Sequence, residues 1–228
     1  MEAIILAGGF GTRLRDVVSD LPKPMAPVKG RPFLEYILDM LQGFGYDHIV
    51  LSTGYMHEKI EQHFGNAYNG MSIYYAREVT PLGTGGGIRN ALLQCSDDVV
   101  TVLNGDTLFR VDFRALRLFF DTHSTQLAVV LRHVSDTSRY GSVLTDADSR
   151  ITAFTEKGGP GGPGLINGGI YMMHRQLLDA YAPKQPFSFE KEVLQSLYPT
   201  LPFYAYASNA YFIDIGIPDD YFRAEREL

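Results

Sequence analysis

The chain has one cysteine, Cys95, and no tryptophan among its 228 residues. A lone cysteine excludes an intrachain disulfide framework and supplies too few ligands for a cysteine zinc site. It fits a reducing compartment, so a cytoplasmic location is expected. The six histidines show no HExxH or other metal spacing. The GxSxG pattern is missing as well, which leaves a Ser-His-Asp hydrolase without support. Long apolar runs are also lacking. The N-terminal run Ala3–Ala7 follows an acidic residue and stops at Gly8-Gly9, too short for a signal-peptide core or a membrane span. Positive charge is in deficit, with 20 Lys and Arg against 26 Asp and Glu and a net charge of −6. A nucleic-acid surface is therefore not expected, although a locally basic pocket for a small anion is compatible with that balance. The sequence shows no internal repeat, no charged tail and no second domain. Its only low-complexity piece, GGPGGPG at 158–164, reads as a mobile surface loop.

What is present is ordinary for a soluble globular protein: 45% hydrophobic and 20% charged residues, at a length that supports one sizeable α/β core. Ala3–Ala7 reads as a strand buried on both faces. Pro32 to Gly43 carries Phe33, Ile37, Leu38 and Leu41 at helical spacing, with Pro32 suited to the first helical position. His48 to Thr53 is a second strand, Glu58 to Phe64 a short helix, Ser72 to Ala76 a third strand, Gly87 to Leu93 a helix after a glycine run, and Val99 to Leu103 a buried strand. This alternation predicts a Rossmann-like, mixed and mainly parallel sheet flanked by helices, with ligands at the carboxyl ends of the strands. The second half is less regular. Gln126 to Arg132, Gly141 to Leu144, Ile151 to Thr155 and Gly169 to Met173 read as strands, and Ser188 to Leu197 as a helix with Ser188 as N-cap and Glu190 in its first turn.

Several turns could carry chemistry. Gly8-Gly9-Phe10-Gly11-Thr12-Arg13 follows the first strand. Clustered glycines let backbone N–H groups approach an anion, and Arg13 adds a fork of donors suited to phosphate. The loop is neither a Rossmann fingerprint, since Leu14 stands where the third glycine belongs, nor a Walker A loop. A tight strand-to-helix turn would look the same. Lys23 is fixed between Pro22 and Pro24, which suits either a pre-positioned ammonium or a plain proline turn. Asp106 and Asp214 each sit in or at the end of an apolar run, where a carboxylate is costly unless paired or metal-bound. Two such acids converging would suit Mg²⁺; separately, each could cap a turn or pair with a lysine. Glu156-Lys157 could serve a sugar phosphate or form an exposed ion pair. The run Leu82–Gly87 could let a flat base lie against the backbone or simply cap a helix.

Taken in order along the chain, LAGGFGTRLR, PKPMAPV (22–28), PLGTGGG (81–87), NGD (104–106), EK (156–157) and DIG (214–216) resemble the sugar-1-phosphate nucleotidyltransferase family. Each motif is weak alone; the ordered set is specific and spans nearly the whole chain. PLGTGGGI, LINGGIY (165–171), FSFE (187–190) and YFIDIGIPDDY (211–221) are similar to the D-glycero-α-D-manno-heptose 1-phosphate guanylyltransferases within it. One departure stands out: Arg15 is followed by Asp16-Val17-Val18 where many members carry Arg-Pro-Leu-Thr, which points to a distinct subfamily.

The resemblance implies a GT-A-like nucleotidyltransferase fold without a β-helix domain, and hence no acyltransfer. It implies one domain over 1–228, with a nucleotide-binding half at 1–110 and a sugar-phosphate-binding half at 111–228. It places Leu6, Ala7, Gly8, Gly9, Gly11, Thr12, Gly83, Thr84, Gly85, Asn104 and Gly105 on the nucleotide, with Gly85 against the base. Arg13 and Lys23 would be catalytic, and Asp106 and Asp214 would hold Mg²⁺. Tyr140, Gly141, Glu156, Lys157, Asn167 and Gly168 would bind the sugar phosphate. The implied partners are a nucleoside triphosphate, GTP, and a sugar 1-phosphate, the manno-heptose. No nucleic-acid or membrane partner is implied, and a homo-oligomer is left open. Mannose 1-phosphate with GTP, or glucose or N-acetylmuramate 1-phosphate with UTP or CTP, are the alternatives. A non-catalytic relative should have lost its basic and metal-binding side chains, and a dinucleotide-binding oxidoreductase should carry the third glycine.

Overall fold

The computed structural model describes residues 1–9, 14, 17–18, 20–155, 161–181 and 183–228. Its first half runs β1 (Glu2–Ala7), a 3₁₀ turn at Lys23–Met25, the short pair β2 (Pro27–Val28) and β3 (Arg31–Pro32), α1 (Phe33–Gly43), β4 (His48–Thr53), α2 (His57–Phe64), β5 (Ala67–Tyr68), β6 (Met71–Arg77), α3 (Gly83–Leu92), β7 (Val99–Asn104) and β8 (Thr107–Phe109). The second half adds α4 (Phe113–His123), β9 (Leu127–Val134), β10 (Val143–Thr145), β11 (Ile151–Phe154), β12 (Gly164–His174), α5 (Leu177–Tyr181), a π-helical segment at Phe189–Gln195, β13 (Tyr204–Ser208), β14 (Phe212–Asp214) and α6 (Pro218–Glu227).

Eight strands form one sheet in the order β13-β9-β12-β7-β1-β4-β6-β5. The β1, β4, β6 and β7 strands are parallel neighbours, and β13 runs parallel to β9. The β12 strand is antiparallel to both β7 and β9. The expected mixed, mainly parallel sheet flanked by helices is therefore the observed one. Apolar residues line both faces of β1. Ala3, Ile5 and Ala7 join the cluster that holds α1, α4 and α6. Ile4 joins the opposite cluster, which holds α3 and the π-helical segment. Burial on both faces explains the unbroken apolar run, because alternate side chains point to opposite sides of a strand.

Element boundaries differ from the sequence expectations in instructive ways. Pro32 is the N-cap of α1, one place outside the helix, because it ends the β2–β3 pair. The α3 helix begins at Gly83, inside the glycine run and before the expected Gly87, because the run packs against the backbone of Phe187. Ser188 does cap the next segment, accepting a bond from the Lys191 amide, but the turns that follow are π-helical. The α4 and α6 helices were not assigned from sequence. Asp112 caps α4 by accepting bonds from the Arg114 and Ala115 amides, a legible signal. The glycine-proline loop falls partly outside the described residues, and Gly164 already belongs to β12.

Candidate active site

Parallel strands bring their carboxyl ends to one edge of the sheet, and the candidate site is built there. The β12 strand contributes from its middle, since its antiparallel register sets Ile170 opposite Leu103 of β7. That pairing lays Asn167 to Gly169 beside the Asn104–Asp106 turn. Gly169 lies at φ +71°, and a Cβ there would stand 2.6 Å from the Asn104 side-chain amide nitrogen. Only glycine allows this close approach without strain.

Of the cavities on this edge, two hold most of the expected residues. One, of about 360 Å³, is lined by Leu6, Gly8 and Gly9 from the end of β1, by Ser52 and Glu78, and by Gly83 and Thr84 at the start of α3. The other, of about 570 Å³, is lined by Tyr140, Gly141, Thr155, Asn167, Gly168 and Tyr171 among others. Asn104, Asp106 and Glu190 line both cavities, so the two meet along a shared wall.

At that wall the structure gathers Lys23, Asp106 and Asp214. The proline-flanked 3₁₀ turn presents Lys23, whose side chain is only 10% exposed. Its ammonium is hydrogen-bonded to the Asp106 carboxylate and lies 4.0 Å from Asp214 Oδ1. The two acids converge because β14 pairs with β8, setting Asp214 opposite Thr107, while the Ile215 amide donates to the Asp106 carbonyl at 3.0 Å. Asp214 Oδ1 also accepts a 2.7 Å bond from the Gly216 amide. A buried cation between two carboxylates is the arrangement that lowers the cost of all three charges.

The remaining expected residues divide. Asn167 donates to the Tyr171 hydroxyl at 2.8 Å and accepts from the Gly169 amide at 2.9 Å, so its amide orientation is fixed. Burial pushes the Tyr140 phenol up, only partly offset by the Arg139 charge, and keeps it a neutral donor. Ala7, Gly85 and Gly105 are not brought to the cavity surface. Ala7 is buried in the core. A Cβ on Gly105 would stand 2.6 Å from the Leu6 carbonyl oxygen, so this glycine serves the packing of β1 against the turn. The place of a Cβ on Gly85 is filled by the Phe187 ring, and the Gly85 amide donates to the Phe187 carbonyl at 3.0 Å. The glycine run is thus shaped for the segment that Phe187 leads, and Gly83 and Thr84 face the cavity in its place. Gly11, Thr12, Arg13, Glu156 and Lys157 lie outside the described residues.

Sequence reasoning missed three polar residues here. Glu78 follows β6 and accepts from the Leu82 amide at 2.9 Å and the Ser52 hydroxyl at 3.2 Å. A Cβ on Gly8 would lie 3.2 Å from its Oε1, so the first glycine turn and this carboxylate are fitted to each other. Glu190, read from sequence as a first-turn acid and as the last residue of FSFE but given no site role, accepts from Thr84 Oγ1 at 2.6 Å and Ser188 Oγ at 2.8 Å. It ties the wall of one cavity to the other. Lys191 adds a cation to the larger cavity.

The chain is 49% identical over 231 aligned residues to the D-glycero-alpha-D-manno-heptose 1-phosphate guanylyltransferase of Aneurinibacillus thermoaerophilus, covering 100% of this chain and 98% of that one. It is 40% identical to the protein of the same name from Campylobacter jejuni, covering 97% of each. The crystal structure of HddC from Yersinia pseudotuberculosis superposes with a TM-score of 0.87 at 36% identity, covering 99% of this chain and 98% of that one. The same protein has been solved complexed with GMP-PN. Residues 2–228 match the Nucleotidyl transferase family model, and the chain belongs to that family.

Proposed function

We propose that this protein transfers GMP from GTP to D-glycero-α-D-manno-heptose 1-phosphate, releasing pyrophosphate and forming a GDP-heptose. The observation that carries the reading is the junction of two cavities at a buried lysine and two carboxylates. Two relatives with this name match over nearly their whole length.

In this reading the smaller cavity takes the nucleotide and the larger one the sugar phosphate; residues before 110 supply most of the first and residues after it most of the second, with Asn104, Asp106 and Glu190 shared. An anionic oxygen of the sugar phosphate attacks the α-phosphorus in line. The bond to the bridging oxygen breaks, and pyrophosphate leaves with the electron pair. The nucleophile is already ionised, so no general base is required, and catalysis is positioning plus charge neutralisation. Lys23 stands where the two phosphates meet and stabilises the charge that gathers there. Arg13 and Lys157 add positive charge, and Tyr140, Asn167 and Glu156 orient the sugar. Gly8, Gly9, Gly11 and Thr12 hold the triphosphate.

A divalent cation, Mg²⁺ in our reading, fits the acids. Among the described residues no group of three or more His, Cys, Asp or Glu side chains is placed to hold a metal. Mg²⁺ is commonly held by one or two carboxylates plus water and substrate phosphate oxygens, which is the donor set that Asp106 and Asp214 offer. When bound, it would supply charge neutralisation on the phosphates.

Glu78 supports the choice of base. A carboxylate is a pure acceptor with room for further bonds beyond those from Ser52 and Leu82. Guanine presents two adjacent donors on its Watson–Crick edge, a match that adenine lacks. The test is Mg²⁺-dependent pyrophosphate release from a panel of nucleotides and sugar 1-phosphates. Highest turnover with the GTP and manno-heptose pair supports the proposal; highest turnover with UTP, CTP or another sugar refutes the substrate assignment. Among the described residues no helix is long and apolar enough to cross a membrane. The sequence carries Arg13, Lys23, Asp106, Lys157 and Asp214, the side chains a non-catalytic relative would have lost, and we read the chain as an enzyme acting in the cytoplasm.

A further inference from the structure

A third cavity, of about 530 Å³, shares no lining residue with the other two. Arg89, Arg175 and Lys184 line it, together with Asn90, Gln185 and a single acid, Asp179. Arg31, Arg77, Arg117, Arg139 and Arg223 each meet a carboxylate within 4.0 Å. None of the three cations in this cavity has such an ion pair among the described residues, and neither do Arg110, Arg114, Arg132, Arg150 and Arg226; what sets these three apart is that they line one cavity. Three like charges around one concavity, in a chain of net charge −6, repel one another unless an anion joins them.

The cavity is mechanically connected to the candidate active site. The α3 helix has Gly83 and Thr84 in the nucleotide cavity at one end and Arg89, Asn90 and Leu92 in this cavity at the other. The Gln185 side-chain amide donates to the Gly86 carbonyl at 3.3 Å, and two residues on, the Phe187 amide donates to the Leu82 carbonyl at 3.0 Å. A ligand that draws Arg175 and Lys184 together would therefore pull on both elements that shape the nucleotide cavity.

We propose that this cavity is a second ligand site, taking a small phosphorylated anion, and that its occupancy is felt at the start of α3. Arginine forks match phosphate oxygens, and the lysine adds a point charge. The volume suits an organic phosphate ester, since small-molecule sites run from about 300 to 1,000 Å³. Leu93, 80% exposed at the rim, offers an apolar face to a base or sugar ring, and Asp179 an acceptor for a hydroxyl.

The test is hydrogen exchange by mass spectrometry on the full chain, with GDP and inorganic phosphate as separate probes. GDP is expected to slow exchange at 86–93 and 175–187, and the catalytic edge is read separately in the same run. In the doubly substituted Arg175→Glu/Lys184→Glu chain the half-saturating concentration for those two segments should rise by about tenfold or more, as for loss of charge-assisted bonds. Its melting temperature and its turnover without added probe should stay as in the wild type. Should that chain fail to fold, Arg89→Ala/Lys184→Ala serves the same comparison. Equal protection by inorganic phosphate would support a site for the phosphate group alone; protection by GDP only would support one for the ester. No protection of these segments by either probe, or protection unchanged in the substituted chain, overturns the proposal. Failure of the proposed transfer reaction would show instead at the catalytic edge and in turnover.

Discussion

Lys23 carries more of the account than any other single side chain. Its largely buried ammonium meets Asp106, a residue both cavities share, and lies 4.0 Å from Asp214. Lys23→Ala should lower kcat by roughly 10²- to 10³-fold, as for removal of one preorganised transition-state donor. Steady-state pyrophosphate release, with a melting curve to show that the variant folds, checks this; near-normal kcat would contradict the role. Glu78 is tested by substrate choice. Inosine triphosphate lacks the 2-amino donor, so the wild type should prefer GTP to it by about tenfold or more, and Glu78→Gln should narrow that preference. A preference that survives the substitution would remove Glu78 from base recognition.

Glu2 makes a different prediction, about stability. It is 4% exposed and accepts bonds from the Ser96 amide, the Ser96 hydroxyl and the Asp97 amide at 2.7–2.8 Å. Burial pushes its pKa up, but those bonds outweigh burial and hold it below the ordinary 4.5. A depressed folded-state pKa gives stability that is present above the unfolded value and is lost as pH falls through the folded one. Glu2→Gln should therefore cost about 1–3 kcal/mol at neutral pH. Urea melts should show the difference between the two proteins shrinking as the pH drops below 4.5. A difference independent of pH would mean that the charge is not what holds the Ser96–Asp97 turn.

At the scale of elements, the glycine run 83–87 shows where pattern reasoning succeeds and where it stops. The run reads from sequence as a bed for a flat base or as a helix cap, whereas in the structure the Phe187 ring fills the place of a Cβ on Gly85. The partner was not legible, because Phe187 lies about a hundred residues away in sequence and only the fold brings its ring against Gly85. The convergence of Asp106 and Asp214 was implied by family resemblance alone, since their settings left each free to cap a turn, and the β8–β14 register that produces it is a long-range pairing. Glu78 and Glu190 went unrecognised because each sits in a context that a turn or a helix cap explains equally well. Gly85→Ala should destabilise the protein by about 1–3 kcal/mol through overpacking. Phe187→Leu in the same chain should recover part of that loss, since a smaller side chain vacates the place of the new Cβ. Denaturant midpoints of the two single variants and the double variant decide this, and purely additive losses would mean that the ring and the glycine are not coupled.

Over the whole molecule, one sheet carries both cavities, so under the proposed function a common layer would position the nucleotide and the sugar phosphate. Its parallel core was readable from runs such as Ala3–Ala7, Val99–Leu103 and His48–Thr53, because strands buried on both faces are mostly apolar, with Thr101, Ser52 and Thr53 the buried polar exceptions in these runs. The β12 strand was readable as a strand, but its insertion between β7 and β9 was not, since strand order depends on pairings that no local pattern records. That insertion brings Asn167 and Gly168 into the wall of the larger cavity, beside the Asn104–Asp106 turn that both cavities share. The measurement that bears most directly on this account is pyrophosphate release with Mg²⁺, setting GTP, ATP, UTP, CTP and dTTP each against manno-heptose, mannose, glucose and N-acetylmuramate 1-phosphates. The account predicts turnover with GTP and the heptose phosphate well above every other pair. No turnover with any pair, in protein shown to be folded, would contradict it.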